Sequence, residues 1–193
     1  MSDLAEKILM RFGEGVTSIE QAQIAASELG ISRGSKVNNK ALHMLMICKS
    51  GIKNANAIVA MLDANLILPD AIREYPNLFH NVLDHHFKDS VKITKAMLNA
   101  GIDLDANYGW STPGIKIVAG FYYANSEPEE KRIMVELASI LINAGLKQPK
   151  DFDPVTENEE MFYAYIQKEL ITKSVCDLSE DLCVSSGKKR PSL

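Results

Sequence analysis

A phrase that ends helices recurs four times along this chain of 193 residues, and a periodic helix stop restricts the possible folds more than any other feature of the sequence. Its clearest copies are Leu98-Asn99-Ala100-Gly101-Ile102 and Ile142-Asn143-Ala144-Gly145-Leu146, with Leu62-Asp63-Ala64-Asn65-Leu66 and Glu28-Leu29-Gly30-Ile31 as variants. The markers Gly30, Asn65, Gly101 and Gly145 stand 35, 36 and 44 residues apart. The residue just past a helix C-terminus often takes a left-handed conformation, which glycine reaches without steric cost and asparagine tolerates. Gly, Asn, Gly and Gly at one register therefore predict four helix ends. The aliphatic residue after each stop (Ile31, Leu66, Ile102, Leu146) is placed to fold back on the helix it follows.

Upstream of the stops, apolar residues recur at helical spacing: Ile58, Met61 and Leu62; Ile93, Met97 and Leu98; Leu137, Leu141 and Ile142. A second helix precedes each of these, over Asn39 to Lys49, Asn77 to Phe87, and Pro113 to Tyr123. The predicted unit is a helix pair, and a repeated unit that cannot bury its apolar face alone stacks on its neighbours. Helix entries carry the Ser/Thr-x-x-Glu capping box at Thr17 with Glu20, Ser126 with Glu129, and Thr156 with Glu159. An irregular helical bundle with coincidental stops is the competing arrangement.

Hydrophobic residues make up 46% and charged residues 24%, so most of the chain should fold. The formal charge of -4 provides no overall positive field for nucleic-acid phosphates. No apolar run approaches the roughly 18 residues that span a bilayer, and no charged-then-apolar export signal opens the sequence. Cys48, Cys176 and Cys183 show no metal-ligand spacing, and an odd count speaks against a disulfide framework. The expected setting is a reducing, cytoplasm-like compartment.

The stretch from Ala96 to Gly120 resembles the passage between two ankyrin repeats. A helix end, Leu98 to Asp103, is followed by Asp105-Ala106-Asn107, a turn at Gly109, Thr112-Pro113 opening the next helix, and Ala119-Gly120 closing it. Lys40-Ala41-Leu42-His43 keeps the Leu-His half of the family's Thr-Pro-Leu-His phrase, and Thr112-Pro113-Gly114-Ile115 keeps the other half. The resemblance runs from about Lys40 to Leu146. It implies an all-α, ankyrin-like solenoid of helix pairs with atypical helical end units. The expected division is an N-terminal helical cap over 1–38, repeats over 39–148, a capping helix over 149–175 and a flexible tail over 176–193.

The resemblance further implies hairpin-like fingers between helix pairs and a concave surface that binds another protein. Tyrosine, tryptophan and arginine concentrate binding energy at interfaces. The candidate contact residues are therefore Arg73 and Tyr75 on one finger, Tyr108 and Trp110 on the next, and Tyr122 and Tyr123 at the end of a first helix. Trp110 and Phe121 have a structural alternative, as core pieces of a long loop.

Little else points to chemistry, and the expectation is a binding module without a cofactor rather than an enzyme. Asp84-His85-His86 spells the triplet of one metal-dependent phosphoesterase family, so a small metal-dependent hydrolase is the alternative function. Adjacent helical residues point about 100° apart, which works against one shared metal; solvated polar residues between inward-facing Leu83 and Phe87 are the expected arrangement. His43 is expected to act as an internal hydrogen-bonding tether, and Cys48 as a small buried hydrophobe. In the tail, Ser179-Glu180-Asp181 resembles the translocation signals of effectors that intracellular bacteria deliver into host cells. Lys188-Lys189-Arg190-Pro191-Ser192 reads equally as a short nuclear signal or a basophilic kinase site, and a plain solvated tail is the expected case.

Overall fold

Helices form where apolar spacing and stops together place them, in a computed structural model that describes residues 2–13, 15–47, 52–105, 114–124, 127–146, 157 and 160–168. They are α1 (Ser2–Gly13), α2 (Ile19–Glu28), α3 (Lys36–Ile47), α4 (Ile52–Asp63), the short α5 (Ala71–Glu74), α6 (Leu78–His85), α7 (Ser90–Asn99), α8 (Gly114–Ala124) and α9 (Pro128–Asn143). A 3-10 turn, Phe87–Asp89, leads into α7, and residues 160–168 are helical. The fold is all-α, with no strand among the described residues.

All four predicted stops end helices. Asn65, at φ 55°, is left-handed, as are Gly30, Gly101 and Gly145 at 64°, 77° and 77°. Each stop completes a paired closure in which the left-handed N–H returns to a carbonyl three residues back, and the following N–H to one five residues back. At Asn65 these bonds run to Leu62 at 2.9 Å and from Leu66 to Met61 at 3.1 Å; Ile102 reaches Met97 at 3.0 Å and Leu146 reaches Leu141 at 3.2 Å. The aliphatic residue after each stop packs on the core, and Leu66 and Ile102 are buried outright.

Helix starts deviate more. Ser18, not Thr17, caps α2 by accepting the Gln21 N–H at 3.2 Å, while Gln21 Oε1 receives the Thr17 N–H at 2.8 Å. Glu127 holds the N-cap position of α9 without a side-chain cap bond, and Pro128 follows in the first turn, so the start falls one residue later than the Ser126 box implies. Thr156 and Glu159 lie outside the described residues. Helix α3 starts three residues before the predicted Asn39: Ser35 Oγ accepts the Asn38 N–H at 3.3 Å and donates to Asn38 Oδ1 at 2.8 Å. Only the first half of a capping box is made, since Asn38 Oδ1 takes the Ser35 hydroxyl rather than the Ser35 backbone N–H.

The helices pack in sequence order. Helix α1 packs on α3, α3 on α6, and α6 on α8; α2 packs on α4, α4 on α7, and α7 on α9; α1 meets α2, α3 meets α4, α6 meets α7, and α8 meets α9. One apolar cluster joins them, and includes Ile8, Phe12, Leu45, Ile58, Phe79, Met97, Val118, Leu137 and Leu141. Burying each such side chain contributes roughly 1.5–3 kcal/mol. Phe162 and Ile166, four residues apart, extend this core into the 160–168 helix.

The described connections between pairs, over 30–35 and 64–77, contain no strand. Among the described residues they are turns, and α5 interrupts the second. They are tied by the Asn38 side chain and by one backbone hydrogen bond. Asn38 is fully buried, and its Nδ2 donates to Ser32 O at 2.9 Å and to Leu66 O at 2.8 Å, joining two successive connections. Gly34 N–H adds a third link, to Leu66 O at 3.0 Å. Asp105 Oδ1 receives the Gly114 N–H at 3.2 Å at the entry to α8. There the Thr-Pro phrase continues with glycine because a Cβ at Gly114 would sit 3.0 Å from the Leu104 carbonyl oxygen.

Candidate functional site

The outward side of α3 follows from its buried side. Asn38, Leu42, Leu45 and Met46 face the core, so Lys36, Lys40, His43 and Ile47, at spacings of four, three and four, fall together on the opposite face. Lys36 and Lys40 are exposed, His43 is half-buried and Ile47 is 41% exposed. Helix α5 packs on α3 through buried Ala71 and Ile72, which leaves Arg73 exposed beside this face. Glu74 meets Asn39 Nδ2 at 3.0 Å and Lys36 Nζ at 3.6 Å.

Tyr75 lies flat against His43, with ring centroids 4.6 Å apart and planes 18° from parallel. Burial, and then the negative Glu74 beside it, raises the Tyr75 hydroxyl above its ordinary pKa. Burial lowers the pKa of His43. His43 Nδ1 is buried without a hydrogen-bond partner, so this side of the ring makes no tether of the expected kind. The histidine tether sits instead at His86, which is 5% exposed and whose Nε2–H donates to Leu45 O at 3.2 Å, joining the end of α6 to α3.

His86 is thus not the solvated residue expected of the Asp84-His85-His86 triplet. Asp84 is exposed and pairs with His80 Nε2 at 3.1 Å, so Asp84 and His86 serve different surroundings. Among the described residues no group of three His, Cys, Asp or Glu side chains is arranged to hold a metal ion. Burial lowers the pKa of His86, partly opposed by its backbone hydrogen bonds. With both His43 and His86 below the unfolded value of 6.5, an unfolded chain takes up protons that the folded one refuses as pH falls through 6.5. Their contribution to stability is therefore complete above that pH and declines below it. The urea midpoint should drop between pH 7.5 and pH 5.5, and His86→Gln should shrink the drop; a midpoint equal at both values would contradict this.

The six sequence candidates separate. Arg73 and Tyr75 stand beside α3 on and after α5. Tyr122 and Tyr123 pack on the C-terminal helix: Tyr122 lies 4.7 Å from the Phe162 ring and 5.3 Å from Tyr123, with Lys131 Nζ 5.1 Å from its centroid. Phe121, next to them, meets His80 of α6 edge-on at 5.1 Å. A groove of about 380 Å³ opens beside this cluster, bordered by Tyr122, Pro128, Lys131, Arg132, Val135 and Tyr165. Tyr108 and Trp110 lie outside the described residues, as do Cys48 and the tail over 176–193. Sequence reasoning overlooked Lys36 and Lys40, although their register opposite Leu42 and Leu45 is a signal that could have found them.

No helix among the described residues is long and apolar enough to cross a membrane. No protein-family model, curated protein or solved structure matches the chain.

Proposed function

We propose that this chain is an ankyrin-like solenoid whose work is to bind another protein, as an adaptor, an inhibitor or an effector delivered into a host cell. The observation that carries the reading is the outward face of α3, where Lys36, Lys40, His43 and Ile47 line up and α5 sets Arg73 and Tyr75 beside them. Helices packed in sequence order leave such a face open along the stack, and stacked repeats use extended faces of this kind for recognition. An aromatic ring held flat by a neighbour loses little freedom on binding, and arginine and tyrosine are the residue types that dominate interfaces. Tyr108 and Trp110 belong to the same proposal on sequence grounds, as the finger that follows. The proposed place of action is the cytoplasm, of the producing cell or of a host.

The test is capture of a partner from cytoplasmic lysates by the immobilised chain, compared with an Arg73→Glu/Tyr75→Ala variant whose helicity is checked by circular dichroism. Replacing two anchors should reduce stoichiometric capture at least about tenfold. Equal capture by both proteins would remove this face from the account.

A further inference from the structure

The face of α3 differs in charge from the chain that carries it. The whole chain is at -4, whereas this face presents Lys36 and Lys40 one turn apart, with Arg73 exposed on the adjoining α5. Glu74, also on α5, meets Asn39 and Lys36, so Lys36 is already ion-paired. The cations of this face left without an ion pair among the described residues are Lys40 and Arg73. The far end of the face is apolar, with Ile47 41% exposed and Met44 half-buried.

The spacing of these groups specifies a ligand. At about 1.5 Å rise per residue, Lys40 stands about 6 Å and Ile47 about 16 Å along the axis from Lys36. An extended chain advances about 3.3 Å per residue, so its alternate side chains repeat at about 6.6 Å on one side. We propose that this face takes an extended acidic segment of a partner protein. Two Asp or Glu residues in alternate positions lie over Lys40, flanked by Arg73, and over the exposed Lys36, which the segment shares with Glu74, and an apolar side chain two to four residues further on reaches Ile47. Two lysines on α3, one of them already paired with Glu74, and Arg73 on the adjoining α5 make a short cationic patch. Such a patch suits this segment better than the continuous phosphate backbone of a nucleic acid, which gains from each further phosphate it neutralises.

This proposal rests on the face being the protein-binding one, and the experiment separates the two. The probe is a fluorescein-labelled peptide, Glu-Gly-Glu-Gly-Leu-Gly-Leu, with lysine replacing glutamate in one control and glycine replacing leucine in another, read by fluorescence anisotropy. The chain should bind the acidic probe about tenfold more tightly than the lysine control. The exposed double variant Lys40→Glu/Arg73→Glu should lose about tenfold, and binding should weaken from 50 to 300 mM salt. The glycine control should also bind more weakly than the probe. Equal affinity for acidic and basic peptides, or tighter binding of a ten-nucleotide single-stranded DNA, would overturn the acidic-segment proposal. The same double variant is run in the capture assay: lost capture without acidic preference rejects the ligand chemistry while keeping the face, and unchanged capture rejects both.

Discussion

Phe79→Ala is expected to destabilise the fold by about 3–5 kcal/mol, the largest single effect anticipated in this chain. Phe79 is fully buried on α6, and its ring edge lies close enough to Gly114 that a Cβ there would sit 3.5 Å from Cε1. One side chain thus fills the space between α6 and the start of α8. Truncation removes apolar contact and leaves a cavity that two helices, held by their own neighbours, cannot collapse to fill. Domains of this size are stable by about 5–15 kcal/mol, so the variant loses a large part of its margin. Urea denaturation followed by circular dichroism measures the change, with Met10→Ala as control because Met10 is 63% exposed. A loss below about 1 kcal/mol at Phe79 would mean that α6 and α8 do not share a packed core.

The second large effect falls on a polar residue. Asn38→Ala should cost about 2–3 kcal/mol, because it removes the donor shared by Ser32 O and Leu66 O together with the acceptor of the Ser35 hydroxyl. Leu66 O keeps the Gly34 N–H, which limits the loss. Asn38→Asp should be worse than alanine: a carboxylate retains the acceptor but offers both carbonyls no hydrogen, and it brings a charge to a fully buried position. If aspartate proves milder than alanine in the same urea titration, the donor role is wrong.

What the sequence discloses and what it conceals divide along physical lines. Helix stops are legible because a left-handed residue restricts residue type, so Gly30, Asn65, Gly101 and Gly145 announce themselves and all four have positive φ. Helix starts are less so, since several small polar residues can cap. Thr17 and Ser18 compete for one end, and Ser35 caps Asn38 at another with no glutamate three residues on to announce it. Burial of polar residues is the least legible. Nothing local distinguishes His86, inside and bonded to Leu45 O, from His85 beside it, because the partner lies 41 residues away. The same holds for Asn38 and Leu66, 28 residues apart. At the candidate surface, the residue types at Arg73 and Tyr75 stand out alone, but their setting needs α5 folded onto α3, which no periodicity encodes in four residues.

Helices stacked in sequence order, rather than gathered into a closed bundle, are the premise of the proposed function. Nuclear Overhauser contacts between assigned side chains of the isotope-labelled chain test this directly. The expected contacts link α1 to α3, α3 to α6 and α6 to α8, with a second series from α2 through α4 and α7 to α9, and no extended interface joins α1 or α2 to α9. Strong contacts joining the first helix pair to the last would close the molecule into a bundle and contradict the open face on which the proposed function rests.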